Sequence, residues 1–172
     1  VEIILAGDAL PVRLCGKPGS TPLADRYLES SFGPAYRSLL EQWLNGELDF
    51  LDAIVFPRSN DTAQRLYYYI CELQRRGIRQ GPDSLIFDLA RVRRETSRSH
   101  TLLATKALAA ELGTSEQQLD AALHRVRDRA SFFRKLSGLR IDELALRGSD
   151  TLAAWRSLQF DWTPVFETLV RE

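Results

Sequence analysis

The sequence predicts an α/β fold: a small parallel sheet of three or four strands with flanking helices, a Rossmann-like three-layer lobe, followed by a helical appendage. Three observations carry that expectation. Short apolar runs alternate with amphipathic helical segments over residues 1–100, the pattern of parallel strands joined by helical crossovers. The run from Phe50 to Phe56 passes through a polar elbow straight into a helix. From about Thr101 the apolar spacing becomes wholly helical.

Each element follows from its residues. Val1-Glu-Ile-Ile-Leu-Ala is rich in β-branched side chains and reads as a strand, stopped by Gly7 and Asp8. Pro11 to Leu14 extends it or forms an edge strand, and Gly16 to Ser20 is loop. Thr21 before Pro22 is a helix start, with a capping hydroxyl and proline at the first helical position. A second helix begins near Pro34, places Tyr36, Leu39, Leu40, Trp43 and Leu44 at helical spacing, and ends at Gly46.

The strand from Leu51 to Phe56 comes next. A helix from Asn60 or Asp61 then carries Ala63, Leu66, Ile70 and Leu73 on one face, and Gly77 closes it. Ser84 to Leu89 is a third strand. Parallel pairing would bring Gly7–Asp8, Pro57–Asp61 and Leu89–Arg91 to one edge of the sheet. Farther on, Thr114 with Gln117 has the form of a capping box, and Leu119, Leu123, Val126, Ala130 and Phe133 make one stripe. Ser149 or Asp150 caps a further helix, and Thr163-Pro164 starts the last. The expected division is an α/β lobe over 1–100 and a helical segment over 101–172, packed as one unit.

Bulk composition narrows the functional classes. A chain of 172 residues with 44% apolar and 27% charged side chains is an ordinary globular domain, or one lobe of something larger. Net charge is zero, so no nucleic-acid partner and no anionic membrane surface is expected. No apolar run is long enough to span a bilayer and no leader pattern is visible, which leaves a cytoplasmic location as the default. The chain has no methionine and opens on an apolar run, as a fragment or processed chain would. Cys15 and Cys71 are too few for a disulfide framework or a four-ligand metal site.

Ligands of open α/β sheets bind where strand ends face helix N-termini, so the elbow residues Arg58, Ser59, Asn60 and Asp61 are the first binding candidates. Asp61 also fits the simpler role of helix cap. Asp8, at the end of the first run, and Arg37, in the helix after Gly33, join them. Arg91, Arg93, Arg94 and Arg98 follow the third strand, and guanidinium groups suit phosphate, as in a coenzyme A carrier, or a solvated face. His100 and His124 have no ligand spacing with each other or with cysteine. Tyr67, Tyr68 and Tyr69 point to three sides of one helical turn, so at least one belongs to the core.

Three stretches together resemble the 2-hydroxyacyl-CoA dehydratase and benzoyl-CoA reductase subunit family. They are Glu2-Ile-Ile-Leu-Ala-Gly with Leu10-Pro-Val-Arg-Leu, Gly33-Pro-Ala-Tyr-Arg-Ser before the strand to Pro57, and Ser59-Asn-Asp-Thr leading to Arg65-Leu-Tyr. The helical run with Leu112-Gly-Thr and Leu119 to Leu139 is similar to the family's segment between its two lobes. The resemblance implies that this chain is the first lobe and its helical insert. It further implies an acyl-CoA ligand and, in cysteine-bearing members, a 4Fe–4S cluster that passes an electron to the thioester.

Mapped onto this sequence, the family's cysteine positions fall on Gly33 and Asn60. Glycine offers no side chain, and a neutral amide is a poor ligand for such iron. The resemblance therefore implies a degenerate, noncatalytic or partner-dependent subunit with no cofactor of its own. Its partner would be a paralogous dehydratase subunit or a second copy in a homodimer. The alternatives are a part of an active dehydratase or benzoyl-CoA reductase complex with cluster ligands supplied elsewhere, and a small-molecule binding or regulatory domain.

Overall fold

The computed structural model describes residues 1–58, 60–144, 146–163 and 166, without the side chains of Gln159 and Phe160. In chain order the elements are α1 (Glu2–Ala6), a 3-10 turn (Ala24–Arg26), α2 (Pro34–Leu44), β1 (Ala53–Pro57), α3 (Asp61–Arg75), β2 (Asp83–Phe87), α4 (Glu95–Glu111), α5 (Glu116–Ile141) and α6 (Gly148–Phe160). The fold is mixed α/β, and β1 and β2 pair in parallel, Val55 opposite Leu85. Contacts divide the chain into two compact units, one of Leu14–Leu108 and one of Val1–Arg13 with Ala109–Glu172.

The unit Leu14–Leu108 is built around a β–α–β connection. Helix α3 buries Ala63, Leu66, Ile70 and Leu73, as their spacing predicts. Against them lie Ile54 and Phe56 of β1 and Leu40 and Trp43 of α2, the last two fully buried. Gly81 permits that packing. A Cβ there would come within 2.7 Å of the Trp43 ring nitrogen. Strand β1 alternates inward Ile54 and Phe56 with half-buried Ala53 and Val55, the period of a sheet with one well-covered face.

Helix α2 and helix α3 run in the same direction. Just before α2, Phe32 meets Tyr69 of the middle of α3 edge-on at 5.5 Å, and the Arg65 guanidinium lies 4.6 Å from the Phe32 ring. Near their C-termini, Arg79 donates to the Trp43 carbonyl and pairs with Asp49. The chain between Thr21 and Phe32 is not the expected helix. It makes only the 3-10 turn, because the Glu41 carboxylate of α2 takes the Leu23 and Ala24 amides at 2.9 and 2.7 Å. Those donors are thus satisfied from outside.

The other unit corrects two expectations. Val1–Ala6 is a helix rather than a strand, and among the described residues the sheet has two strands instead of three or four. A short apolar run does not distinguish strand from helix by periodicity. Here Leu5 and Ala6 are buried with Ala122 of α5 and Trp162. Gly7 allows the approach, since a Cβ would sit 2.8 Å from the Leu112 carbonyl oxygen.

The capping box of α5 is Ser115 with Gln118, one residue later than the sequence suggests. Thr114 instead donates to the Ile3 carbonyl at 3.5 Å. The buried seam of α5 is also displaced: Ala122 is buried with Leu119 and Val126 beside it, whereas Leu123 and Ala130 are more open. Helix α6 begins at Gly148 after Arg147, without a side-chain cap. The start expected at Thr163-Pro164 reaches Pro164, outside the described residues, although the Thr163 hydroxyl accepts the Phe166 amide at 3.4 Å. No helix of the described residues is long and apolar enough to cross a membrane.

Candidate functional site

The carboxyl ends of β1 and β2 adjoin the N-terminus of α3. After Pro57, the Arg58 amide continues the ladder by donating to the Phe87 carbonyl at 2.9 Å. The side chain of Arg58 turns to Asp88, with Nη1 at 2.7 Å from Oδ2. His100, from the first turns of α4, places Nε2 2.9 Å from the same oxygen. The contact with His100 and the nearby Arg58 guanidinium hold the Asp88 carboxyl below its usual range, against an upward push from burial. Thr101 adds a second tie by accepting the Ala90 amide at 3.2 Å.

Asn60 opens α3 with extended backbone angles, and its Oδ1 accepts the Ala63 amide at 3.2 Å. This is the arrangement of an N-cap. It satisfies one of the donors that a helix start leaves without a partner. Asp61 lies in the first turn, exposed, where the helix dipole favours a negative charge. Ser59 lies outside the described residues.

Gly33 caps α2 in the same way by position but has nothing to offer from a side chain. Its backbone is at φ −68° and ψ 161°, which any residue adopts, and a Cβ there would meet nothing within 4 Å. The loop before it is fastened to α3. Glu29 accepts from Arg65 Nη2 at 2.8 Å and from the Tyr69 hydroxyl at 3.1 Å. Both contacts, Tyr69 first, hold the Glu29 carboxyl below its usual range, and burial together with Glu29 pushes the Tyr69 hydroxyl up. These ties hold the loop before Gly33 against the side of α3.

The other candidates take different positions. Arg37 is a brace: it donates to the carbonyls of Phe32 and Glu29 at 3.1 and 2.6 Å and pairs with Asp25. Arg91 and Arg94 are exposed just beyond β2, and their side chains pair with no described residue. Asp8 belongs to the other unit, after α1, with φ +57°. Because Val1–Ala6 is helical, Asp8 does not follow a strand. Sequence reasoning misses the Arg58–Asp88–His100 cluster, since spacing rules test histidines against other metal ligands. A carboxylate near the end of a predicted strand is the one available hint.

Cys15 is exposed and Cys71 half-buried, and both are free thiols. The carbonyl of Cys15 accepts from Gln42, on α2 well past Gly33. Among the described residues, no group of three or more His, Cys, Asp and Glu side chains is gathered closely enough to hold a metal ion. The donors at the two helix starts are one occupied amide oxygen and bare backbone. They do not fit an iron–sulfur cluster.

A parallel β–α–β unit whose strand tips adjoin a helix start defines an α/β lobe of the open-sheet kind. The family described as 2-hydroxyglutaryl-CoA dehydratase, D-component, matches residues 1–172, and the chain belongs to that family. No curated protein matches it. It is a dehydratase-family subunit.

Proposed function

We propose that this subunit is a degenerate, noncatalytic or partner-dependent member of its family, which keeps the scaffold without ligands for its own iron–sulfur cluster. One observation carries the reading: Asn60, at a family cysteine position, uses its side-chain oxygen to cap α3. A thiolate position has become a structural one. The companion position, Gly33, has room for a side chain and none present. As a D-component relative, the subunit would act beside another subunit, and a cysteine-bearing paralogue is the partner this reading calls for.

Anaerobic reconstitution with iron and sulfide tests the reading directly. The expected result is no broad charge-transfer absorbance in the visible and no iron retained after desalting. Stoichiometric iron with such a band would overturn it.

The exposed Arg91 and Arg94 favour a second reading, in which acyl-CoA binding persists and cluster ligands come from another chain. Guanidinium groups free of carboxylates are suited to the phosphates of coenzyme A. An acyl-CoA thioester should then raise the melting temperature, and replacing both arginines should abolish the rise. An unchanged melting temperature would leave the third reading, a binding domain in which Asn60 and Asp61 face a small polar ligand.

A further inference from the structure

Two contacts bracket the loop between β2 and α4. His100 Nε2 lies 2.9 Å from Asp88 Oδ2, and Thr101 Oγ1 accepts the Ala90 amide at 3.2 Å. Both come from adjacent residues of α4 and reach back across the turn, so they fix the span between Ala90 and His100. That span carries Arg91, Arg93, Arg94 and Arg98. Within it the Arg94 amide donates to the Val92 carbonyl at 2.9 Å, and the Arg98 amide donates to the Arg94 carbonyl at 3.1 Å.

The start of α4 has little apolar packing to hold it. Among the described residues of this helix Leu108, toward its far end, is the buried one. Leu102 and Leu103, directly after the bracket, are 55% and 66% exposed. Helices in proteins owe most of their stability to a packed apolar face, so the two polar contacts carry a larger share here. Of the two, the His100–Asp88 contact is the one that can change its charge near neutrality, because imidazole takes up a proton between about pH 5 and 8. The charged groups that act on Asp88 are His100 and Arg58, the latter from the elbow after β1, and together they keep its carboxylate ionised across that range. On α4 itself, Glu95 is paired with Arg98 at 3.7 Å.

We propose that the His100–Asp88 contact is a proton-responsive clasp on the arginine-bearing loop and the first turns of α4, closed more firmly when the imidazole is charged. A charged ring meets the carboxylate as an ion pair. A neutral ring keeps at most a hydrogen bond, and the attraction between opposite charges is gone. A contact that favours the charged ring in the folded chain contributes fully at the acid end of the range and is lost as pH rises through it. The clasp orders the same loop that a coenzyme A ligand would use, yet it does not rest on that reading, because the order of the loop is measured without ligand.

Amide hydrogen exchange at about pH 5 and about pH 8, the two ends of that range, tests the clasp once intrinsic rates are divided out. The Ala90 and Arg98 amides of the wild type should lose roughly twofold to fivefold in protection from the lower pH to the higher, relative to the amides of α3 around Leu66, as suits a partly exposed ion pair. His100→Gln should remove this step and hold protection at the weaker level. His100→Lys, charged at both pH values, should remove it and hold protection at the stronger level. Asp88→Asn should remove it as well. Far-UV circular dichroism checks that each variant folds. A wild type without the step overturns the proposal, and so does a step that survives in folded His100→Gln or Asp88→Asn. Should one variant not fold, the other two decide: the flat levels just given support the clasp, and any other pair of results overturns it.

Discussion

Asn60 accepts the Ala63 amide, and that single contact explains why a polar residue is stable at the tip of β1. Its removal has a known scale: Asn60→Ala should lower stability by about 1 kcal/mol, while Asn60→Asp or Asn60→Ser should keep most of it. Gly33 predicts the opposite sign. Its backbone suits any residue and its surroundings are open, so Gly33→Ser, which adds the capping oxygen that glycine lacks, should raise stability by roughly a few tenths of a kcal/mol. Urea midpoints check both. A Gly33→Ser variant that loses stability would mean the position is not open. Asp88 adds a pH dependence. Its carboxyl is lowered in the folded state by His100 and Arg58, so its contribution is present above the ordinary carboxylate range and lost as pH falls through the lowered value. Urea midpoints measured toward acid should fall more steeply for the wild type than for Asp88→Asn; parallel curves would remove Asp88 from the account.

Among the elements, those held by long local patterns were legible and those decided by a distant contact were not. Helix α3 follows from four apolar residues at helical spacing and a closing glycine, although its cap is Asn60 rather than the expected Asp61. Strands β1 and β2 follow from short apolar runs bounded by turn residues. The elbow's place between a strand tip and a helix start was legible for the same reason, although the Asp88–His100 contact that joins β2 to α4 was not. Helix α1 depends on α5, more than a hundred residues later, and the failed helix after Thr21 depends on Glu41. The seam of α5 also turns on that packing, and it can be tested. Leu123→Ala should cost well under the roughly 2–5 kcal/mol of a buried leucine, because Leu123 is 36% exposed. Ala122→Leu should cost about 1–3 kcal/mol by overfilling the contact with α1. The reverse ranking in thermal melts would restore the seam through Leu123.

Among the described residues the two units bury cores of unequal size, and stability should follow that inequality. The unit Leu14–Leu108 buries eleven residues in one cluster, among them Trp43, Leu40, Leu66 and Ile70 with almost no exposure. The cluster of the other unit buries Leu5, Ala6, Ala122 and Trp162, two of them alanines. Its largest side chain is held by Arg129, whose guanidinium lies 3.7 Å from the Trp162 ring centre and donates to the Leu158 carbonyl at 2.8 Å. Hydrophobic stabilisation grows with apolar area removed from water, so the smaller core has less to set against the entropy of its chain. Local opening draws on the least stabilised regions first. Native-state hydrogen exchange should therefore find the amides of α5 around Ala122 opening at lower free energy than those of α3 around Leu66 and Ile70. Ala63→Gly should lower protection in α3 alone, because additivity holds for sites without shared partners. Equal protection in the two helices would show that the cores open together, and the unequal clusters would then not set the order of unfolding.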